Sequence, residues 1–309
     1  MTLELVRERL AGVVAIPVTP FDHHGGIDDE AFTRVLARMV DAGIQVATPN
    51  GNTSEYYSLT GAERRHCVEL TVQSAGSGCS TLAGVGGAVP EAIEAARHAR
   101  SAGAQAIMIH QPAHPFMSSE GWVEYHRQIA EAVPELGVVL YLRNPRIDGA
   151  AVARLADAAP NLVAIKYAVP DPVRMATVSR DCDRPHLVWI AGLAELSAPG
   201  YWAVGATGFT SGFANVEPSL SLRLLEALQT SDTEGAMRIW ELIRPFEELR
   251  ARNESEHNVT VVKESLAQLG LCRRDVRPPI SVLSAPDRQL VEEMMLPWQA
   301  ALQVGLQVG

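Results

Sequence analysis

Eight short apolar segments alternate with longer amphipathic segments along the first 230 residues, and this order constrains the fold more than any other feature. The segments are apolar throughout, which predicts strands covered on both faces, as in a parallel sheet. Several of the intervening helical patterns begin at Thr, Pro or Asp and end at Gly, as helix caps do. The predicted strands are residues 12–19, 44–49, 80–85, 106–110, 137–142, 162–167, 186–192 and 207–212.

Parallel strands joined by helical crossovers leave two main folds, an open doubly wound sheet and a closed eight-stranded barrel. The count of eight and the steady length of the units favour the barrel. We therefore predict an α/β fold, a (β/α)8 TIM barrel over residues 1–230. Residues 231–309 carry three further helical patterns and no convincing strand pattern, which predicts a C-terminal helical extension packed on the barrel as one structural unit.

The composition limits the partners of this chain. A formal net charge of −10 argues against nucleic acid or an anionic membrane, because either partner favours a basic surface. No apolar run reaches the roughly 20 residues that span a bilayer, and the first ten residues lack a signal-peptide core. The four cysteines are scattered without CxxC spacing, so neither a disulfide framework nor a metal site is expected. We expect a cytoplasmic protein without a cofactor.

Lysine is rare in this chain, since 26 residues are Lys or Arg but only Lys166 and Lys263 are lysine. Lys166 lies in the apolar segment LVAIKYAV, at the carboxyl end of the sixth predicted strand, where barrel enzymes place their chemistry. An apolar site lowers a lysine pKa, and the neutral amine can condense with a 2-oxo acid to a Schiff base. The alternative is a lysine that reaches solvent or pairs with a carboxylate. Lys263 is interpreted as a surface or packing residue.

Other residues that follow predicted strands can serve such a lysine. Tyr141 ends the fifth strand and is a candidate proton relay, or else a structural barrel tyrosine. The loop PNGNTSE can present backbone N–H groups and hydroxyls to a carboxylate. The predicted substrate-binding residues on this rim are Gly51, Asn52, Thr53, Ser54, Gly192 and Ser211.

An ordered set of motifs resembles the dihydrodipicolinate synthase and N-acetylneuraminate lyase family of class I aldolases. The resemblance implies a (β/α)8 barrel, a Schiff base between Lys166 and a 2-oxo acid, and proton relay by Tyr141. It also implies carboxylate binding by Thr53 and adjacent loop amides, and a homotetramer or tight homodimer. The motifs are GVVAIPVTPFD, GNTSEYYSLT, LAGVGG, LYLRNPR, NLVAIKYA, GATGFTSGFANVEP and VKESLAQLGL followed by VRPP.

Two departures from this family concern the proton relay. Asn52 stands where the synthases have a relay hydroxyl, and an amide is a poor proton carrier. The relay tyrosine that a neighbouring subunit lends in the synthases falls near His114, which is predicted to be a substitute relay or to cap its own loop. A metal site from His110 and His114 is disfavoured, because Pro112 and Pro115 prevent the helical i,i+4 geometry.

A third departure concerns the substrate. The segment YLRNPR and residues 55–60 resemble the branch that dehydrates 5-dehydro-4-deoxyglucarate. Arg143 or Arg146 can hold a second carboxylate, or can instead form salt bridges at a subunit contact. The expected activity is a lysine-dependent lyase of a 2-oxo acid, with aldol chemistry and dehydration not separated. One alternative is a catalytically altered barrel that serves as a ligand-binding or assembly protein. Another is a phosphate-binding barrel enzyme, which would depend on the segment LAGVGGAV, but that segment does not fit the GxGxxG spacing.

Overall fold

The computed structural model describes residues 2–303, and its centre is a closed barrel of eight parallel strands in sequential order. The closed sheet confirms the barrel and excludes the open doubly wound sheet. Three strands have the predicted bounds, whereas the first two strands end earlier than predicted. A proline follows each of these two strands closely, and proline has no N–H to donate to a neighbouring strand. The strands are β1 Val13–Ala15, β2 Val46–Ala47, β3 Ser80–Val85, β4 Ala106–Ile109, β5 Gly137–Leu142, β6 Leu162–Tyr167, β7 Val188–Ala191 and β8 Gly208–Ser211.

One helix follows each strand and covers the outer face of the barrel. Side-chain caps fix several helix starts, for example the Thr60 hydroxyl, which accepts from the Glu63 N–H in a capping box. These eight helices are α2 Asp29–Asp41, α3 Gly61–Ala75, α4 Val89–Ala102, α5 Ser119–Glu131, α6 Gly149–Ala158, α7 Pro172–Cys182, α8 Ala194–Trp202 and α9 Pro218–Gln229.

Helix α1, Leu3–Leu10, precedes the barrel and was not predicted from the sequence. Its buried residues Val6 and Leu10 cluster with barrel-interior side chains such as Val14 and Met108. The contact lies at the amino ends of the strands, since a Cβ on Gly208, the first residue of β8, would lie 2.4 Å from the Leu10 carbonyl oxygen. Helix α1 therefore covers the barrel at the amino ends of its strands.

Three helices follow the barrel units, as the sequence predicted: α10 Thr233–Ser255, α11 Thr260–Gln268 and α12 Ala285–Gln303. They pack on the barrel through an aromatic cluster in which Phe213, Phe246 and Trp298 meet edge to face, with ring centroids 4.9–5.4 Å apart. Within residues 2–303, no helix combines the length and the apolar character needed to cross a bilayer.

Candidate active site

Lys166 and Tyr141 are paired neighbours on β6 and β5. Both side chains are buried, and the Lys166 Nζ lies 4.4 Å from the centroid of the Tyr141 ring. Burial lowers the pKa of Lys166 to about 7, since an ammonium loses its hydration there. Among the described residues, none forms an ion pair with Lys166. In the single chain, Lys166 therefore neither pairs with a described carboxylate nor reaches solvent. Its amine can lose its proton near pH 7.

The Tyr141 hydroxyl is held by the loop that follows β2. Asn52 Nδ2 donates to the phenol oxygen at 3.1 Å. Burial raises the pKa of Tyr141, and the Arg143 charge and the Asn52 hydrogen bond only partly oppose that shift. The phenol is therefore protonated at neutral pH, and because its oxygen accepts from Asn52, its own proton can be donated to an atom bound beside Lys166.

The Gly51–Glu55 loop (residues 51–55) packs against the segment that follows β1. A Cβ on Gly51 would lie 2.6 Å from the Ile16 Cγ2, so any other residue there would force Ile16 or the loop to shift. The Ser54 hydroxyl donates to the Pro17 carbonyl oxygen at 2.5 Å and accepts from the Gly51 N–H at 3.3 Å. Ser54 was predicted to bind substrate, but one of these bonds ties its hydroxyl to the segment after β1 and the other lies within the loop, so both contacts are structural.

The predicted carboxylate-binding groups belong to the same loop. Thr53 is buried, and its hydroxyl accepts from Asn258 Nδ2 at 3.5 Å. Within the described part of the chain, the N–H groups of Asn52 and Thr53 donate to no backbone carbonyl. Two neighbouring N–H donors of this kind suit a carboxylate.

Gly192 and Ser211, both predicted to bind substrate, have mainly structural contacts. The Gly192 N–H donates to the Tyr167 carbonyl oxygen at 2.7 Å, and a Cβ at this position would lie just as close to that oxygen. The Ser211 hydroxyl donates to Glu195 Oε1 on α8 at 2.5 Å and accepts from the Ala214 N–H. Successive strand residues point to opposite faces, and Ser211 points outward between the barrel and its helices. This orientation argues against a substrate contact by the Ser211 hydroxyl.

The two predicted arginines lie at the mouth of the barrel. Arg143 is exposed, and its charge acts on the hydroxyls of Tyr141 and Tyr57. Arg146 is also exposed, and its Nη2 donates to the Met117 carbonyl oxygen at 3.3 Å, which ties together the loops that follow β4 and β5. Arg143 is thus the better placed of the two for a bound anion.

The two histidines near β4 have different environments. His110 is buried, stacks on Tyr56 with ring centroids 4.1 Å apart, and bonds through Nε2 to the Asn50 carbonyl oxygen at 2.8 Å. Burial lowers its pKa to about 4, so it is neutral. His114 is exposed, and its Nδ1 accepts from the Phe116 N–H at 3.2 Å. In residues 2–298, no group of three or more His, Cys, Asp or Glu side chains is placed to hold a metal ion.

Sequence reasoning missed the role of Lys263. The surface alternative was wrong and the packing alternative was incomplete, because Lys263 is fully buried and its Nζ forms an ion pair with Glu55 Oε1 at 2.5 Å. The rarity of lysine was a signal that both lysines have special environments. The partner could not be read from the sequence, since Glu55 and Lys263 lie 208 residues apart.

Comparisons with known proteins agree with this geometry. The model of the Dihydrodipicolinate synthetase family matches residues 9–296. A 4-hydroxy-tetrahydrodipicolinate synthase of Bartonella henselae is 29% identical over 93% of this chain and 97% of its own. A probable 5-dehydro-4-deoxyglucarate dehydratase of Rhodococcus opacus is 30% identical over 91% and 93%. A solved structure of dihydrodipicolinate synthase from Bacillus clausii is 39% identical, with a TM-score of 0.91 over 95% of this chain and 99% of that one.

Proposed function

The chain belongs to the dihydrodipicolinate synthetase family and is a Schiff-base lyase of 2-oxo acids, and we propose that Lys166 forms the imine and Tyr141 relays the protons. One observation carries this assignment. Lys166 is a buried amine with a pKa of about 7, without an ion-pair partner in the described part of the chain, next to a protonated tyrosine.

The chemistry follows from these groups. The neutral Lys166 amine attacks the C2 carbonyl of the 2-oxo acid, and water leaves as the imine forms. The protonated imine withdraws electrons, so a C3 proton can be lost and an enamine forms. The Tyr141 hydroxyl is placed to donate and accept protons in these steps, while the Asn52 and Thr53 N–H groups hold the substrate carboxylate.

The enamine has two possible fates. It can add to an aldehyde, which is aldol chemistry, or it can expel a hydroxyl group from C4, which is dehydration. We favour dehydration of a 3-deoxy-2-oxo sugar acid in this chain. Asn52 lies beside Tyr141 at the position where the synthases have a proton-carrying hydroxyl. Arg143 offers a cation at the mouth of the barrel for a second carboxylate of the substrate. The same intact lysine and tyrosine disfavour a barrel that only binds or assembles.

Assembly and location are part of the proposal. Family members are typically oligomeric, and we expect a homotetramer or a tight homodimer in the cytoplasm. His114 lies on an exposed loop of the single chain. We propose that it reaches the site of a neighbouring copy, where it replaces the tyrosine that the synthases share.

Reductive trapping tests the assignment of Lys166. The protein is incubated with pyruvate, and separately with a 3-deoxy-2-oxo sugar acid, and is then reduced with borohydride and digested. We expect added mass on the peptide that contains Lys166 and none in a Lys166→Met variant. An adduct on Lys263, or no adduct with either acid, would overturn the assignment.

A further inference from the structure

Glu55 joins the Gly51–Glu55 loop to the C-terminal helices. Its backbone is left-handed, with φ at 61°, a conformation that a residue with a side chain adopts only when its surroundings hold it. Its carboxylate is wholly buried, although Glu is rarely buried unless it is paired. The loop that holds the substrate carboxylate therefore ends at a residue whose backbone and side chain both need external support.

That support comes from the C-terminal extension. On one side, Lys263 of α11 donates from Nζ to Glu55 Oε1 at 2.5 Å and to the Asp275 carbonyl oxygen at 2.8 Å. On the other side, the Arg277 N–H donates to Glu55 Oε2 at 3.0 Å. Both oxygens of the Glu55 carboxylate are thus bound by residues more than 200 positions further along the chain.

Among the described residues, Glu55 supplies the one charge that pairs with Lys263, and an aromatic ring covers the amine on another side. The Lys263 Nζ lies 4.0 Å from the Phe21 ring centroid, and the Arg277 guanidinium covers the same ring at 4.3 Å. Burial lowers the pKa of Lys263, and the Glu55 charge opposes this shift. Removal of either partner leaves a buried charge uncompensated, which strongly favours rearrangement of the loop.

We propose that Lys263 and Glu55 are positioning residues, and that the ion pair between the C-terminal extension and the loop sets the affinity of the active site for the 2-oxo acid. The pair acts through the Asn52 and Thr53 N–H groups and does not touch the reacting atoms. This inference rests on the proposed function, because it assigns the loop to the substrate carboxylate.

The test compares Lys263→Met with Leu266→Ala. Leu266 is fully buried on the same helix, so its truncation weakens the packing of α11 but keeps the ion pair. The first readout is the rate of borohydride trapping on Lys166 as a function of pyruvate concentration. Loss of one N–H bond to a charged carboxylate corresponds to about 10–100-fold in affinity, so we expect Lys263→Met to raise the half-saturating concentration by about that factor. The limiting rate should change less than the half-saturating concentration, because Lys166 is intact and only the Asn52 contact to the Tyr141 hydroxyl lies on the displaced loop.

A second readout does not depend on the substrate. Amide hydrogen exchange of the peptide around residues 50–60 should be faster in Lys263→Met than in Leu266→Ala at matched distance below the Tm. If the wild-type protein traps no 2-oxo acid on Lys166, the proposed function fails, and this exchange still decides whether Lys263 holds the loop.

Two outcomes would overturn the inference. One is an unchanged half-saturating concentration and unchanged exchange in Lys263→Met; the other is an equal effect of Leu266→Ala. If Lys263→Met does not fold, Glu55→Gln replaces it. The amide keeps an oxygen acceptor for Lys263 but loses the charge, so the half-saturating concentration should rise in the same direction but less. Lys263→Arg keeps the cation and should restore part of the affinity.

Discussion

The Lys166 amine lies over the face of the Tyr141 ring, with Nζ 4.4 Å from the ring centroid. The ring face and the hydroxyl therefore have separate roles. The face packs against the amine and helps to exclude water, whereas the hydroxyl is held by Asn52. A change that removes only the hydroxyl leaves the surroundings of the amine nearly intact, so the relay can be tested on its own.

Tyr141→Phe should lower turnover by about 10²–10⁴-fold, the usual value of a positioned proton transfer. Stability should change by at most about 1.5 kcal/mol, since Asn52 loses one hydrogen-bond acceptor. Turnover and Tm are measured on the same purified protein. Tyr167→Phe is the matched control, because it removes a buried hydroxyl from the outer face of β6. A less stable but fully active Tyr141→Phe protein would remove Tyr141 from the mechanism.

The rate of imine formation should rise with pH through about 7 and then level off, because burial lowers the pKa of Lys166 to about 7 and only the neutral amine attacks. Timed mixing with pyruvate, followed by a borohydride quench, gives the rate at each pH. A rate that keeps rising to about pH 10, the ordinary pKa range of lysine, would show that Lys166 is not perturbed.

Lys166→Met should make the protein more stable. The lysine pKa is lower in the folded state than in the unfolded state, so the burial of Lys166 opposes folding fully below pH 7 and ceases to do so as the pH rises toward 10.5. The gain should reach a few kcal/mol at pH 6 and shrink at alkaline pH. Denaturant unfolding at pH 6 and pH 9.5 measures it. Lys263→Met, which breaks an ion pair, should be destabilising instead; equal effects of the two substitutions would contradict this account.

The protein should be a poor dihydrodipicolinate synthase. With pyruvate and aspartate semialdehyde, turnover should fall well below the ordinary enzymatic range of roughly 1–1000 per second, because Asn52 cannot carry a proton. Asn52→Thr should raise this turnover, because threonine has a hydroxyl. Asn52→Val should not, because valine has the shape of threonine but no hydroxyl. Ordinary turnover by the wild-type protein would refute the prediction.

If His114 serves a neighbouring copy, two inactive variants should complement each other. His114→Ala and Lys166→Ala subunits are mixed, dissociated and reassembled, and activity is compared with each variant alone. A mixed oligomer contains sites that combine an intact Lys166 with the His114 of the other subunit. No recovery in mixed oligomers would place any role of His114 within its own chain, or outside the mechanism.

The sequence predicted what depends on local pattern. The apolar runs indicated the strands, and the barrel rule then placed Lys166 and Tyr141 together before any distance was known. It did not predict the direction of the Ser211 side chain, because a shift of one residue in a strand turns every side chain to the other face. Helix α1 was missed because only Val6 and Leu10 of its eight residues are buried. The Glu55–Lys263 pair depends on tertiary packing alone.

Because both lysines are enclosed, the folded protein presents no lysine to large molecules in solution. Lys166 is 3% exposed, and the Lys263 amine is held by Glu55. Acylating dyes and cross-linkers that modify amines will therefore find no reactive lysine on the surface of the native fold, whose many surface cations are arginines. Acylation of Lys263 becomes a sensitive signal that the fold has opened around the Glu55 ion pair, and immobilisation through surface lysines is not an option for this enzyme.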